Sequence, residues 1–163
     1  MKIFLIVSYF AFVFQGFSQN HYLIVGTYDS PKSEGIYVYQ FNSNNGSAKE
    51  LSHIKTSNPS YICISPNKKF VYAVNENADK NGKGGSVTSF TFDKKLGTLS
   101  KINSQLSEGS NPCHVIVDKT GKWIIVGNYS SGNFSVLPVN KKGELFARFV
   151  SHRNPADIRN IDL

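Results

Sequence analysis

The chain has 163 residues, enough for one domain with its own hydrophobic core. Lysine and arginine outnumber aspartate and glutamate 18 to 11, which gives a formal net charge of +7 at pH 7. The two cysteines, Cys63 and Cys113, make no disulfide framework and have no CxxC zinc spacing, so we expect both to be small buried residues. A basic chain can bind nucleic acid, a membrane surface or an anionic small molecule. Here the lysines occur as pairs in turns, which is typical of a solvated surface.

The N-terminal segment has the pattern of a secretory signal peptide. Lys2 precedes the apolar run IFLIVSYFAFVF, and Gly16-Phe17-Ser18 supplies the small residues of a cleavage site. The run is too short for a transmembrane helix, although an uncleaved anchor is the alternative. We expect residues 1–18 to be removed, which takes away one lysine, and the mature protein to be periplasmic or secreted without a membrane span.

A repeat organises the chain that follows. Asn58-Pro59-Ser60-Tyr61 aligns with Asn111-Pro112-Cys113-His114, and the next residues stay aligned at a constant offset of 53. An earlier partial copy occurs at Val25-Gly26-Thr27-Tyr28, which is similar to Val126-Gly127-Asn128-Tyr129. Self-similarity at a period of about 50 residues indicates a repeat architecture.

Each copy continues with alternating strands separated by glycine-containing turns, as in GIYVYQF, GSVTSFTF and GNFSVLPV. Period-two alternation of β-branched and aromatic residues predicts antiparallel strands, and nothing in residues 20–145 predicts an amphipathic helix. Four such strands per repeat predict an all-β fold, a β-propeller of four-stranded blades. With strands labelled a to d from the axis outward, residues 22–56 supply b to d of a first blade. Residues 59–106 form a second blade, and residues 112–146 supply a to c of a third.

The predicted propeller is incomplete. A closed ring needs at least four blades, and the chain supplies about 2.5–3 of them. After Leu145 the alternation stops, and the remaining residues hold every arginine of the chain: Arg148, Arg153 and Arg159. We therefore expect residues 19–145 to be the N-terminal blades of a longer propeller, and residues 146–163 to be a divergent tail produced by truncation or a frameshift.

The strand order predicts that five side chains gather at one end of the blades. Strand a begins and strand b ends at the same end of an up-and-down sheet, which we call the mouth. Tyr61 and His114 begin strands a, whereas Tyr28, Glu76 and Tyr129 end strands b. The a-to-b and c-to-d turns lie at the opposite end, the lysine end, which carries Lys68, Lys69, Lys94, Lys95, Lys119, Lys122, Lys141 and Lys142. Because most of the positive charge faces away from the mouth, we expect no nucleic-acid partner there.

Each candidate side chain has a functional and a structural interpretation. Imidazole titrates near neutral pH, so His114 is a candidate general base or substrate ligand, or a hydrogen-bonded residue that closes the strand start. Glu76 could orient that histidine or a water, bind a substrate hydroxyl, or be a solvated carboxylate. Tyr28, Tyr61 and Tyr129 could line a substrate site or pack as aromatic residues. Asn128 is a candidate substrate ligand, or its amide ties off the end of strand b.

The quoted segments resemble the seven-bladed propeller lactonases, which include 6-phosphogluconolactonases of the propeller type and carboxymuconate-lactonizing enzymes. The resemblance rests on GTYDSPKSEGIYVYQFN, NPSYICISPNKKFVYAVNE and NPCHVIVDKTGKWIIVGNYSSGNFSVLPVNKKGEL, and it covers residues 22–145. It implies hydrolysis of a sugar lactone, a small-molecule substrate, in the axial cleft without a metal or cofactor. His114 matches the family's histidine after Pro-Cys, and Glu76 matches the glutamate of its Asn-Glu pair.

The resemblance also implies residues that this chain does not supply. An arginine and a further histidine are expected from later blades, so we expect the chain alone to be inactive. A secretory signal fits poorly with phosphogluconolactone, a cytosolic metabolite, and favours another lactone. The alternative function is a non-enzymatic extracytoplasmic propeller of the YVTN type that binds a glycan or a protein, because a propeller fold does not fix function.

Overall fold

The computed structural model describes residues 21–81 and 84–147, which form ten β-strands. The predicted signal peptide lies outside the described residues, as does all of the predicted tail after residue 147. The strands are β1 (His21–Gly26), β2 (Ile36–Phe41), β3 (Ala48–Ile54), β4 (Ile62–Ile64), β5 (Phe70–Asn75), β6 (Ser86–Asp93), β7 (Thr98–Leu106), β8 (Pro112–Val117), β9 (Trp123–Asn128) and β10 (Asn133–Pro138). In this part of the chain, no helix is long and apolar enough to cross a membrane.

The strands pair into three antiparallel sheets with the orders β1-β2-β3, β4-β5-β6-β7 and β10-β9-β8. The first sheet therefore contains strands b to d of one blade, the second a whole blade, and the third strands a to c of another. This all-β partial propeller confirms the predicted fold class. The central strand β5 is buried on both faces, with Val71, Tyr72, Ala73 and Val74 each at most 1% exposed.

Two hydrophobic cores cover the two faces of the second sheet and explain the burial of β5. Alternate residues of one strand point to opposite faces, so Val71 and Ala73 lie in one core while Tyr72 and Val74 lie in the other. The first core joins the second sheet to Ile36 and Val38 of the first, and it includes Phe90. The second core joins the second sheet to the third through residues Val115, Ile124, Val126 and Leu137.

The sequence repeat is reproduced in the backbone hydrogen bonds at the mouth. The Glu76 N–H donates to the Asn58 carbonyl at 3.0 Å, and the Tyr129 N–H donates to the Asn111 carbonyl at 3.0 Å. Both asparagines have positive φ, 41° and 51°, a region that asparagine adopts more readily than most residues with a Cβ. We call this bond the strand-entry clamp. It joins the approach to strand a with the exit of strand b in the second and third blades.

The prediction that both cysteines are buried is wrong for Cys113, and Cys63 is only partly buried. Cys63 packs at the edge of the second core, and burial raises the pKa of its thiol to about 12. Cys113 is exposed. Pro112 pairs with Asn128 while His114 pairs with Gly127, so Cys113 is the extra residue of a β-bulge that interrupts the alternation of β8.

Candidate functional site

Tyr28 and Glu76 form a hydrogen bond at the mouth, between the first and second blades. The Tyr28 hydroxyl donates to Glu76 Oε2 at 2.8 Å, although Tyr28 is 60% exposed. This hydrogen bond is the main cause that raises the pKa of Tyr28, followed by partial desolvation and the charge of the carboxylate. The phenol therefore stays protonated and holds one carboxylate oxygen of Glu76 in a fixed position.

Tyr61 and His114 contact each other at the start of the innermost strands β4 and β8. Their ring centroids are 4.4 Å apart at an interplanar angle of 71°, an edge-to-face arrangement. Both side chains are exposed, Tyr61 at 41%. The phenol ring of Tyr61 therefore restricts the orientation of the imidazole without enclosing it.

These two pairs are neighbours. A coulombic interaction with Cys113, the residue before His114, is the smallest contribution to the raised pKa of Tyr28. The Asn111 N–H donates to the Asn77 carbonyl at 3.0 Å, which joins the third blade to the residue after Glu76. Within the described residues, no hydrogen bond joins His114 directly to Glu76.

Tyr129 and Asn128, at the end of β9, have opposite exposures. Tyr129 is 80% exposed and reaches solvent at the mouth. Asn128 is 3% exposed, and its Nδ2 donates to the Ser107 carbonyl at 2.9 Å. The equivalent Asn75 likewise donates to the Ser57 carbonyl, at 2.6 Å. The structure therefore brings Tyr129 to the mouth surface and places Asn128 beneath it, which favours the structural interpretation of its amide.

Asp29 is a residue of this region that the sequence patterns did not single out. Its Oδ2 accepts a hydrogen bond from Ser57 Oγ at 2.7 Å, and its Oδ1 accepts one from the Asn58 N–H at 3.1 Å. The Ser57 hydroxyl and the Asn58 amide together lower the pKa of Asp29. Asp29 thereby anchors the loop that carries Tyr28. The signal in the sequence is a polar run, Tyr-Asp-Ser, directly after strand b of the first blade.

A cavity of about 430 Å³ lies beside this loop, apart from the candidate side chains. It is lined by Asp29, Ser30, Ser33, Glu34, Lys55, Thr56 and Ser57. None of the five candidates predicted at the mouth lines it, so the candidate side chains and this cavity occupy different parts of the mouth. No group of three or more histidine, cysteine, aspartate or glutamate residues in the described part of the chain is arranged to hold a metal ion.

Comparison with known proteins identifies the family of the chain. A family model described as "Lactonase, 7-bladed beta-propeller" matches residues 22–159. The chain belongs to this lactonase family. The match confirms the resemblance seen in the sequence, and it extends beyond Leu145 into the segment predicted to be a divergent tail.

Individual relatives match the same blades. The chain is 38% identical over 122 residues to a 6-phosphogluconolactonase of Bacillus subtilis, covering 74% of this chain and 34% of the relative. It is 34% identical over 125 residues to a 6-phosphogluconolactonase of Formosa agariphila, covering 76% of this chain and 35% of the relative. The periplasmic gluconolactonase of Pseudomonas aeruginosa superposes with a TM-score of 0.70 at 38% identity, covering 79% of this chain and 38% of that structure. The chain thus spans about a third of the length of the curated relatives that it matches.

Proposed function

We propose that the mouth of these blades is part of an active site that hydrolyses a sugar lactone. The observation that carries the proposal is the pairing of Tyr28 with Glu76 beside the contact of Tyr61 with His114, in a chain of the lactonase family. Two titratable groups, two aromatic rings and no enclosing wall suit a shallow site for a polar ring compound. His114 and Glu76 are the proposed catalytic residues, and Tyr28, Tyr61 and Tyr129 are the proposed substrate contacts.

In the proposed reaction His114 accepts a proton from a water molecule as that water attacks the lactone carbonyl. The tetrahedral intermediate then collapses, the ester C–O bond breaks, and the protonated imidazole returns the proton to the ring oxygen. The product is the open hydroxy acid. Glu76, held by the Tyr28 hydroxyl, positions the attacking water or a substrate hydroxyl. Tyr61 keeps the imidazole in the orientation that faces this water.

The oxyanion of the intermediate needs a positive or hydrogen-bonding partner. Residues 21–147 contain no arginine, so the arginine implied by the resemblance is not supplied by the described blades. We therefore propose that these blades contribute the base and the substrate-binding side of the site, and that they bind the lactone without efficient turnover on their own.

We propose an extracytoplasmic location and an unphosphorylated sugar lactone as the substrate. The signal-like N-terminus and one of the relatives, the periplasmic gluconolactonase of Pseudomonas aeruginosa, support this choice.

A chimeric enzyme tests the proposal. Residues 22–145 replace the corresponding segment of the Bacillus subtilis relative, which supplies the remaining blades, and acid release from gluconolactone and 6-phosphogluconolactone is followed at constant pH. We expect His114→Ala to lower kcat/KM about 10²–10⁴-fold, the usual contribution of a general base. His53→Ala is the matched control, because His53 lies on the outermost strand β3 and pairs with Glu50 at 2.9 Å.

The outcomes distinguish an error in the assigned catalytic residue from an error in the proposed function. A chimera with full activity after His114→Ala would refute the catalytic role while leaving the lactonase function intact. A folded chimera that opens neither lactone would contradict the function. Binding of free sugars by that chimera would instead support the alternative function, a glycan-binding propeller in which the exposed Tyr129 contacts the sugar.

A further inference from the structure

The lysine end of the described blades carries an unusual density of exposed cations. Its eight lysines lie in four turns, two in each a-to-b and c-to-d turn of the second and third blades, and all eight are exposed. The lactonase site proposed above uses none of them. The repeat alone does not require lysine in these turns, because the c-to-d turn of the first blade, Asn42-Ser43-Asn44-Asn45-Gly46, contains none.

The same type of hydrogen bond stabilises each of the four turns that carry the lysines. An asparagine or aspartate at the start of the turn accepts a hydrogen bond from the N–H of the second lysine through its side-chain oxygen. The bonds are Lys69 N to Asn67 Oδ1 at 3.0 Å, Lys95 N to Asp93 Oδ1 at 2.7 Å, Lys122 N to Asp118 Oδ1 at 2.8 Å, and Lys142 N to Asn140 Oδ1 at 2.8 Å. The turn backbone is thus fixed by groups other than the lysine side chains, which remain free for a partner.

The turns form one continuous surface rather than separate protrusions. A Cβ placed on Gly121 would lie 3.6 Å from Pro66 Cδ, so the two a-to-b turns adjoin. A Cβ on Gly143 would lie 2.4 Å from the ring of Phe70, which brings the c-to-d turn of the third blade against the second blade. The Tyr22 hydroxyl donates to the Lys94 carbonyl and holds the remaining turn against the first blade.

The positive charge of this surface is only partly neutralised, because eight lysines are accompanied by three carboxylates. Asp93 and Asp118 accept backbone N–H groups within their own turns, and Glu144 Oε2 accepts a hydrogen bond from Asn140 Nδ2 at 3.0 Å. Within the described residues, none of the eight lysines forms an ion pair. Leu96 lies directly after Lys94 and Lys95, and its side chain is 69% exposed.

We infer that the lysine end is a docking surface for a membrane rich in anionic lipids. Lysines near such a surface attract it additively, and an exposed leucine among them can enter the boundary between headgroups and acyl chains. Nucleic acid is the less favoured partner, because the surface has lysines only and lacks the arginine forks that grip phosphate in a bidentate manner. Docking at this end leaves the mouth, at the opposite end, open to solvent and substrate.

Co-sedimentation of the mature chain, residues 19–163, with lipid vesicles tests the inference, because the apolar run of the predicted signal peptide would itself enter a bilayer. The vesicles are made of phosphatidylcholine alone or of an equal mixture with phosphatidylglycerol, at low and at physiological ionic strength. We expect binding to the anionic vesicles only, weakened by salt. Each lysine removed should weaken binding about fivefold, so Lys94→Gln, Lys95→Gln and Lys142→Gln together should cost on the order of 100-fold. Leu96→Ser should weaken binding about tenfold with no change of charge.

A triple variant at the mouth is the matched control. Lys32→Gln, Lys55→Gln and Lys80→Gln remove the same charge from the opposite end, and we expect them to weaken binding no more than a few-fold. An equal loss in the two triple variants would overturn the inference, since net charge alone would then account for binding. Equal binding to neutral vesicles would overturn it, as would tighter binding to a DNA duplex than to vesicles. Circular dichroism of both triple variants verifies that they fold.

Discussion

At the scale of single residues, Asp118 shows how one carboxylate closes a turn. It accepts hydrogen bonds from the Thr120 hydroxyl and from the N–H groups of Thr120, Lys122 and Trp123. Partial burial opposes its ionisation, but these hydrogen bonds outweigh burial and lower the pKa of Asp118 to about 2 from an ordinary value of 3.8. The equivalent residue of the second blade is Ser65, whose Oγ accepts a hydrogen bond from the Phe70 N–H at 2.9 Å.

Replacement of Asp118 by serine, the residue at the equivalent position of the second blade, is expected to remove a pH-dependent contribution to the free energy of unfolding. The pKa in the folded state lies below that in the unfolded state, so Asp118 contributes stability above about pH 4 that is lost as the pH falls toward 2. Asp118→Ser should lower the free energy of unfolding by about 1 kcal/mol at neutral pH, and by progressively less below about pH 4. Urea titrations at a series of pH values measure this difference, and a constant difference across the series would contradict the assignment.

Asn75 is a buried amide at the end of β5, and it is 5% exposed. Its Nδ2 donates to Thr56 Oγ1 at 2.8 Å and to the Ser57 carbonyl at 2.6 Å, while its Oδ1 accepts from Thr88 Oγ1 at 2.6 Å. Asn75→Ala would remove these three hydrogen bonds from a buried position, so we expect a loss of about 2–3 kcal/mol in unfolding free energy. Asn45→Ala, in an exposed turn, should cost about 0.5 kcal/mol. Equal losses for both variants would exclude this explanation.

At the scale of elements, the c-to-d turn of the third blade contains a glycine that packs closely against the second blade. Gly143 has φ of +80°, and a Cβ there would lie 2.4 Å from the Phe70 ring. Gly132 has φ of +62°, but nothing lies within 4 Å of its Cβ position. A substitution at Gly132 would therefore cause backbone strain alone, whereas one at Gly143 would cause both strain and steric overlap.

Alanine at these two glycines should have different costs. Gly132→Ala introduces strain alone, and we expect about 1 kcal/mol of destabilisation. Gly143→Ala adds a collision with Phe70, so we expect about 3 kcal/mol or more. Chemical denaturation of both variants provides the comparison. If Phe70→Leu restored the stability of the Gly143 variant, the ring would be identified as the cause; similar costs in both glycine variants would argue against a collision.

The elements themselves could be predicted from the sequence because their alternation is strong and their period repeats. The strand order also predicted that four candidate side chains lie at the same end of the blades, the mouth: Tyr28, Glu76, Tyr61 and His114. The exposure of Cys113 could not be predicted, since a bulge depends on how Pro112 and His114 pair with the neighbouring strand. The edge-to-face contact of Tyr61 and His114 likewise depends on the spacing between blades, which no local pattern encodes.

At the scale of the whole molecule, the second sheet belongs to both hydrophobic cores. Its strand β5 sends alternate residues to the first and the third sheet, so loss of either core exposes one face of the same strand. We therefore expect the three sheets to unfold as one cooperative unit rather than blade by blade.

A reporter in the third sheet tests this cooperativity. Trp123 is the single tryptophan of the chain and lies in β9, whereas Phe90 is fully buried in the core between the first and second sheets. Phe90→Ala should lower the unfolding free energy by about 3–5 kcal/mol, and should shift the midpoint seen by Trp123 fluorescence as far as the midpoint seen by circular dichroism. Leu106→Ala, at a site 51% exposed, should shift neither of these midpoints appreciably. A fluorescence midpoint that ignores Phe90→Ala would indicate independent sheets.

The strand-entry clamp has a consequence for how such a site can evolve. Because it uses backbone atoms of Asn58 and Asn111, the clamp fixes the positions that hold Tyr61 and His114 whatever side chains occupy them. The second and third blades thus offer the mouth the same two places, one at a strand start and one at a strand end. A single codon change at either place can exchange an aromatic contact for an acid or a base while the blade keeps its backbone. Substrate range in a ring of such blades can therefore diverge by point substitution, without insertions or rebuilt loops.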